Sequence, residues 1–448
     1  MTKARLLAVA LAAALLASCS FAVQDDDAEK KEGPGTTAGE QGEQARDFSD
    51  VPTRGVTDDT VKLGAAVIDT QRLVNDYGVD VGLIPEGVLD ALVKAQNDRG
   101  GINGRTIELV DRYFLPIGNE DSEKVCRELT EDEQVFLVMG TYLADNALCI
   151  TETHSTPYVS FFGLTEERMA RSKAPYLTTA PMVDDELRAD VEALVDSGEL
   201  ADAKVAVYWE GDLKAKWVEA NIVEPLVDAG IDVVSKAELP SSGDQVQADA
   251  DVTRILQRFE ADGADTLLNL AGLPVLLPAL AKSSYEPRLV FTNGQIMGEG
   301  VFDNQGIEDR SAFADALGVV NANTSEEVAA DPNFQRCLDD INTAGGLDIT
   351  TDDIFDESIK PDSRGYGQLP GVCLTWQLTV DVLEAAGDDL TVQSLLDGLA
   401  DVEPSFVRSD DAELSPTRWG AGGAPRIWDY DVERDSFVPR DAAGKPAA

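Results

Sequence analysis

The stretch Gly100-Gly101-Ile102-Asn103-Gly104-Arg105-Thr106-Ile107-Glu108-Leu109-Val110 decides the fold. Its glycines suit a helix end followed by a tight turn, and the residues after them read as a strand. Upstream, Val88, Leu89, Leu92, Val93 and Ala95 recur at helical spacing within Glu86 to Asp98, and Val61 to Ile68 is rich in β-favouring residues. With a second strand expected over Thr106 to Phe114, this is a β-α-β unit, which needs parallel strands and a right-handed crossover.

The alternation continues along the chain. A helix is expected over Glu120 to Leu129, a strand over Val135 to Gly140, a helix near Asp145 to Glu152 and a strand over Tyr158 to Phe161. A second run begins near Tyr176, with strands expected at Lys204 to Trp209, Ile231 to Ser235, Thr266 to Leu270 and Leu289 to Thr292, each preceded by a helical segment. Strand-like Leu317 to Asn321, helices around Asn333 to Asn342 and Pro370 to Ala386, and an extended Ile427 to Tyr430 follow. The expected fold class is α/β, two Rossmann-like doubly wound lobes with a cleft between them.

The 448 residues are 43% apolar, enough for two compact lobes. Asp and Glu number 83 against 36 Lys and Arg, a formal charge of −47. Such a field repels phosphate backbones, so nucleic acid is excluded as a partner. A single histidine, His154, leaves little room for His-dependent catalysis or a His-rich metal site.

Lys3 and Arg5 precede an unbroken run of Leu, Ala and Val from Leu6 to Ala17, too short for a permanent membrane span. Residues 1–18 therefore read as a signal peptide. The ending Leu16-Ala17-Ser18-Cys19 resembles the lipobox of bacterial lipoproteins, which implies lipidation at Cys19 and an anchor on the extracytoplasmic face of the cell membrane. An ordinary secretory signal shares the same flanks. Residues 19–54 are then a lipidated N-terminus and a flexible acidic linker with few large apolar residues.

Outside the cytoplasm, the even set Cys126, Cys149, Cys337 and Cys373 reads as two disulfides. Four cysteines allow three connectivities. The sequential one, Cys126 with Cys149 and Cys337 with Cys373, closes the shortest loops and is the expected pairing. Without any CxxC pair, zinc is disfavoured.

Ligands in open parallel sheets gather at the carboxyl ends of the strands. That places Tyr142, Ser160, Phe161, Phe162, Trp209, Asp212, Gly272, Asn293 and Gln295 among the candidate ligand-binding residues. Aromatic walls would come from Tyr142, Phe161, Phe162 and Trp209, and orienting polar contacts from the others. No Gly-x-Ser-x-Gly elbow, Walker loop or His-Glu-x-x-His is present. The glycine-rich Gly420-Ala421-Gly422-Gly423 is followed by Ala424-Pro425, where a phosphate loop would open a helix, and reads as a surface turn. No enzyme activity, cofactor or metal is expected.

The phrase Gly55-Val56-Thr57-Asp58-Asp59-Thr60-Val61-Lys62-Leu63-Gly64, the opening Gly100 to Val110 stretch, Lys204-Val205-Ala206-Val207 and Gly263-Ala264-Asp265-Thr266 resemble the leucine/isoleucine/valine-type substrate-binding proteins of ABC transporters. The resemblance covers roughly residues 55–440. It implies a type I periplasmic-binding fold with a three-segment hinge. Lobe 1 is expected at 55–175 and 321–405 and lobe 2 at 176–318 and 408–440, with crossings near 174–176, 318–321 and 404–408. It further implies a monomer that captures a small polar or amino-acid-like solute and hands it to an ABC permease. In that family an acid that holds the ligand ammonium falls where this chain has Gln295, which points to an uncharged polar solute. Other readings of the same features are a sensing or adhesive surface lipoprotein without a permease and, less favoured, an envelope enzyme.

Overall fold

The computed structural model describes residues 45–77, 82–116, 119–142, 144–211, 213–240, 245–271, 276–292, 307, 310–355, 366–404 and 413–440. Helix Val88–Asp98 buries Val88, Leu89, Leu92 and Ala95, the apolar stripe expected of it. At Gly101, φ is +72°, and a Cβ there would lie 1.9 Å from the Arg105 carbonyl oxygen, so only glycine fits. Asn103 and Gly104 also have positive φ, and Ile102 and Arg105 exchange backbone hydrogen bonds of 2.9 Å across them. That is the geometry of a tight two-residue turn. Asn103 Nδ2 donates to the carbonyls of Leu383, Glu384 and Gly387, docking the turn on the end of helix Leu369–Ala385.

The first sheet holds β1 Thr60–Ile68, β2 Thr106–Phe114, β3 Leu137–Gly140, β4 Tyr158–Ser160 and β5 Tyr176–Thr178, in the order β2-β1-β3-β4-β5. All of its pairings are parallel. The second sheet holds β6 Lys204–Glu210, β7 Asp232–Leu239, β8 Thr266–Asn269, β9 Arg288–Phe291 and β10 Leu317–Val320, closed by β11 Arg426–Asp431 and β12 Ser436–Pro439. Its order is β12-β11-β10-β9-β8-β6-β7, and only the last two strands in the chain pair antiparallel. Strand alternation explains the layering. Ala206 and Tyr208 face one core of the second lobe, while Val205, Val207 and Trp209 face the other.

Two boundaries lie elsewhere than the sequence suggests. Tyr176–Thr178 pairs with β4, so the chain leaves the first lobe after Thr178 and not at 174–176. Leu414, Trp419 and Ala421 belong to the first lobe's core, so the last return to the second lobe comes just before β11 and not at 404–408. Short strands with apolar residues on both faces give no pattern that assigns them to one sheet or the other.

Cys126 bonds Cys149 and Cys337 bonds Cys373, with Cα separations of 6.3 and 5.8 Å. Both pairs lie in the first lobe's cores. Cys19, the signal segment and most of the linker lie outside the described residues. Among the described residues no helix is long and apolar enough to cross a membrane.

Candidate functional site

Residues 179–182, 321–324 and 421–425 carry the chain between the lobes. A Cβ on Gly422 would come 2.1 Å from Pro181, and Gly420 bridges Thr178, so the first and third crossings run in direct contact. The glycine-rich segment read as a surface turn is thus part of the hinge, where Ala421 is fully buried.

Against these crossings lies a chamber of about 290 Å³. The first lobe contributes Phe161, Pro370, Gly371 and Leu374, and the second contributes Glu186 from helix Val183–Ser197. Thr179, Ala180, Pro181, Asn321 and Asn323 line it from the crossings, with Val328 beyond them. Phe161 and Gly371 also border a smaller cavity of about 20 Å³ inside the first lobe. There the Thr141 hydroxyl is buried and has no hydrogen-bond partner among the described residues. The Phe161 ring stands between the two spaces, and a Cβ on Gly371 would press on it at 3.1 Å.

Glu186 is the one charged residue bordering the chamber among the described residues. Burial pushes its carboxyl up to about 7. One helical turn on, Asp190 is fully buried and neither carboxylate oxygen has a hydrogen-bond partner among the described residues. Burial, and then repulsion from Glu186, holds its carboxyl well above the usual range. Nearer the hinge, charges join the lobes: Arg188 pairs with Glu166, Lys214 Nζ lies 3.9 Å from Glu167, and Asp184 accepts the Glu166 N–H at 2.6 Å.

Of the residues expected to bind a ligand, Phe161 borders the chamber and the Phe162 ring lies 4.1 Å from it. Tyr142 and Trp209, expected to give aromatic walls, do not border the chamber. Tyr142 is fully buried, stacks edge-on against Phe114 and donates its hydroxyl to the Ser122 carbonyl. Trp209 is buried in a core of the second lobe. Ser160 is also buried, its hydroxyl accepting the Phe162 N–H at 3.2 Å. Position after a strand does not distinguish a side chain turned outward from one turned into the sheet's flank. Asp212, Gly272, Asn293 and Gln295 lie outside the described residues.

Glu186 and Asp190 escaped the sequence reading because they sit inside a helix. The one signal was two acids four residues apart on a face that otherwise carries buried Leu187, Val191 and Leu194. Cys126, Cys149 and His154 cluster within 4.8 Å, but both sulfurs are in a disulfide and offer no thiolate to a metal. His154 Nδ1 lies 3.6 Å from Glu131, and burial lowers its pKa.

No protein-family model matches the chain, and no curated protein does either. Solved structures do match it. A solute-binding protein of an ABC transporter from R. palustris, in complex with 4-hydroxybenzoate, superposes with a TM-score of 0.57 at 16% identity, over 86% of this chain and 96% of that one. An ABC transporter substrate-binding protein from Desulfitobacterium hafniense, in complex with Leu, gives 0.54 at 13% identity over 85% and 100%. A possible leucine/isoleucine/valine-binding protein from Rhodopirellula baltica SH 1 gives 0.52 at 11% identity over 87% and 98%. The chain therefore has the two-lobed type I fold of periplasmic solute-binding proteins.

Proposed function

We propose that this chain is a solute-binding lipoprotein that captures a small molecule between its lobes and delivers it to an ABC permease. The observation that carries the reading is the 290 Å³ chamber, walled by both lobes and by two of the hinge segments. A solute seated there touches surfaces that move relative to one another, so it can favour the closed form by differential contact. Its volume suits a molecule of the size that the similar structures hold, 4-hydroxybenzoate or Leu.

Native mass spectrometry of the protein purified without refolding tests the reading. A retained small molecule, lost on Phe161→Ala, is the expected result; an empty protein that no metabolite pool stabilises against heat overturns it. The anchor is tested separately. Cys19→Ser should release the protein into the medium or leave it unprocessed, and a variant that is still acylated and membrane-bound overturns lipidation.

A further inference from the structure

The solute's charge follows from the chamber, given the binding reading above. Glu186 puts a carboxylate on the wall, and no Lys or Arg borders the space among the described residues. Behind it stands Asp190, with no solvent exposure and neither oxygen partnered among the described residues. A buried acid in this state is costly unless a cation or a proton meets it. The cation nearest in sequence is committed elsewhere: Arg188 pairs with Glu166 and Asp185. The remaining wall is apolar at Phe161, Pro181, Val328 and Leu374, and neutral at Thr179 and Asn321. Among the described residues no cation on it receives a carboxylate, and the Thr179 hydroxyl and the Asn321 and Asn323 amides offer only neutral donors. A chain with a net charge of −47 also draws cations toward a cleft and repels anions.

We infer that the Glu186–Asp190 pair is the subsite for the charged head of a small organic cation, an amine with an apolar body and no free carboxylate. The ammonium sits against Glu186, and a cation there lets Asp190 behind it give up the proton that burial keeps on it. This revises the uncharged solute suggested by Gln295: the acid is provided from a helix of the second lobe. It also sets the ligand apart from the acids held by the similar structures. Phe161, Pro181 and Leu374 enclose the apolar body.

The test compares matched compounds on one skeleton: tyramine, tyrosol and 4-hydroxyphenylacetate, and isoamylamine, isoamyl alcohol and isovalerate. Thermal stabilisation and calorimetric affinity are measured on the full chain. The amines are expected to bind at least about tenfold tighter than their alcohol and carboxylate counterparts, the size of one charge-assisted hydrogen bond. Glu186→Gln should abolish that preference, lowering amine affinity to that of the matched alcohol. Asp190→Asn should weaken amine binding too; if it does not fold, Glu186→Gln decides alone. Alcohols or carboxylates binding as well as amines, or a neutral or anionic molecule retained in native mass spectrometry, overturns the cation subsite and leaves solute binding standing. No retained molecule and no stabilisation by any compound overturns both.

Discussion

Phe161 and Trp209, two aromatic side chains near the carboxyl ends of strands, have opposite duties. The Phe161 ring borders open space on two sides, whereas Trp209 packs among Leu187, Val207 and Leu268. Trp209→Ala should therefore act as a core truncation, lowering stability by about 3–5 kcal/mol. Phe161→Ala should change stability much less and weaken solute retention, which denaturant titration and native mass spectrometry separate. The acid pair makes a prediction of its own. A carboxyl whose folded pKa is raised from 4.5 to about 7 binds more protons in the folded state than in the unfolded one across that interval. Its stabilising contribution is complete below the unfolded pKa and is lost as pH rises through the folded one. Asp381, pushed by burial up to about 6, acts in the same direction. The groups around the pair do not reverse the sign: Asp184 accepts a backbone N–H, Arg188 is held by Glu166 and Asp185, and Glu219 pairs with Lys236. The ligand-free protein should thus lose stability from pH 5 to pH 8. Asp190→Asn should flatten that dependence and be the more stable protein at pH 8; an unchanged slope would show that the pair titrates normally.

At the scale of elements, the turn after helix Val88–Asp98 was readable because its chemistry is local. Gly101 must adopt positive φ within 1.9 Å of a carbonyl, and sequence expresses that as glycine. Gly101→Ala should destabilise the first lobe by about 1–3 kcal/mol, the usual cost of a forced backbone conformation, measured as a shifted urea midpoint. Gly422 obeys the same kind of rule through a long-range contact with Pro181, and nothing in its neighbours distinguishes it from a surface glycine. Strands and helices were legible from periodicity for the same reason, and β5 was not, being three fully buried residues with no alternation to read. The site was the least legible part. Thr141 and Phe161 follow strands as the fold rule requires, but whether a residue there turns outward depends on packing from distant helices, as Tyr142 on Phe114 shows. Glu186 lies where no strand-end rule looks.

The whole molecule is two bodies with separate cores, joined by the hinge segments, and this governs how it unfolds. The first lobe's core runs from Leu63 through Trp376 to Trp419, while Trp209 and Trp428 lie in cores on either side of the second sheet. Both disulfides belong to the first lobe, with sequence separations of 23 and 36 residues. In the chain-entropy account, loops of this size restrict the unfolded chain by about 3–4 kcal/mol each. Removing both should therefore weaken one lobe and leave the other almost untouched, so two-state unfolding breaks down. In the Cys126→Ser, Cys149→Ser, Cys337→Ser, Cys373→Ser protein, calorimetry should resolve two transitions. Hydrogen exchange read by mass spectrometry should assign the lower one to first-lobe segments, among them those of Trp376 and Trp419. A bound solute contacts both lobes and stabilises the form in which each is folded, so saturation should draw the transitions back together. A single transition that shifts as a whole on loss of the cysteines would mean that the lobes unfold as one unit, and that the hinge couples them more tightly than its few backbone contacts account for.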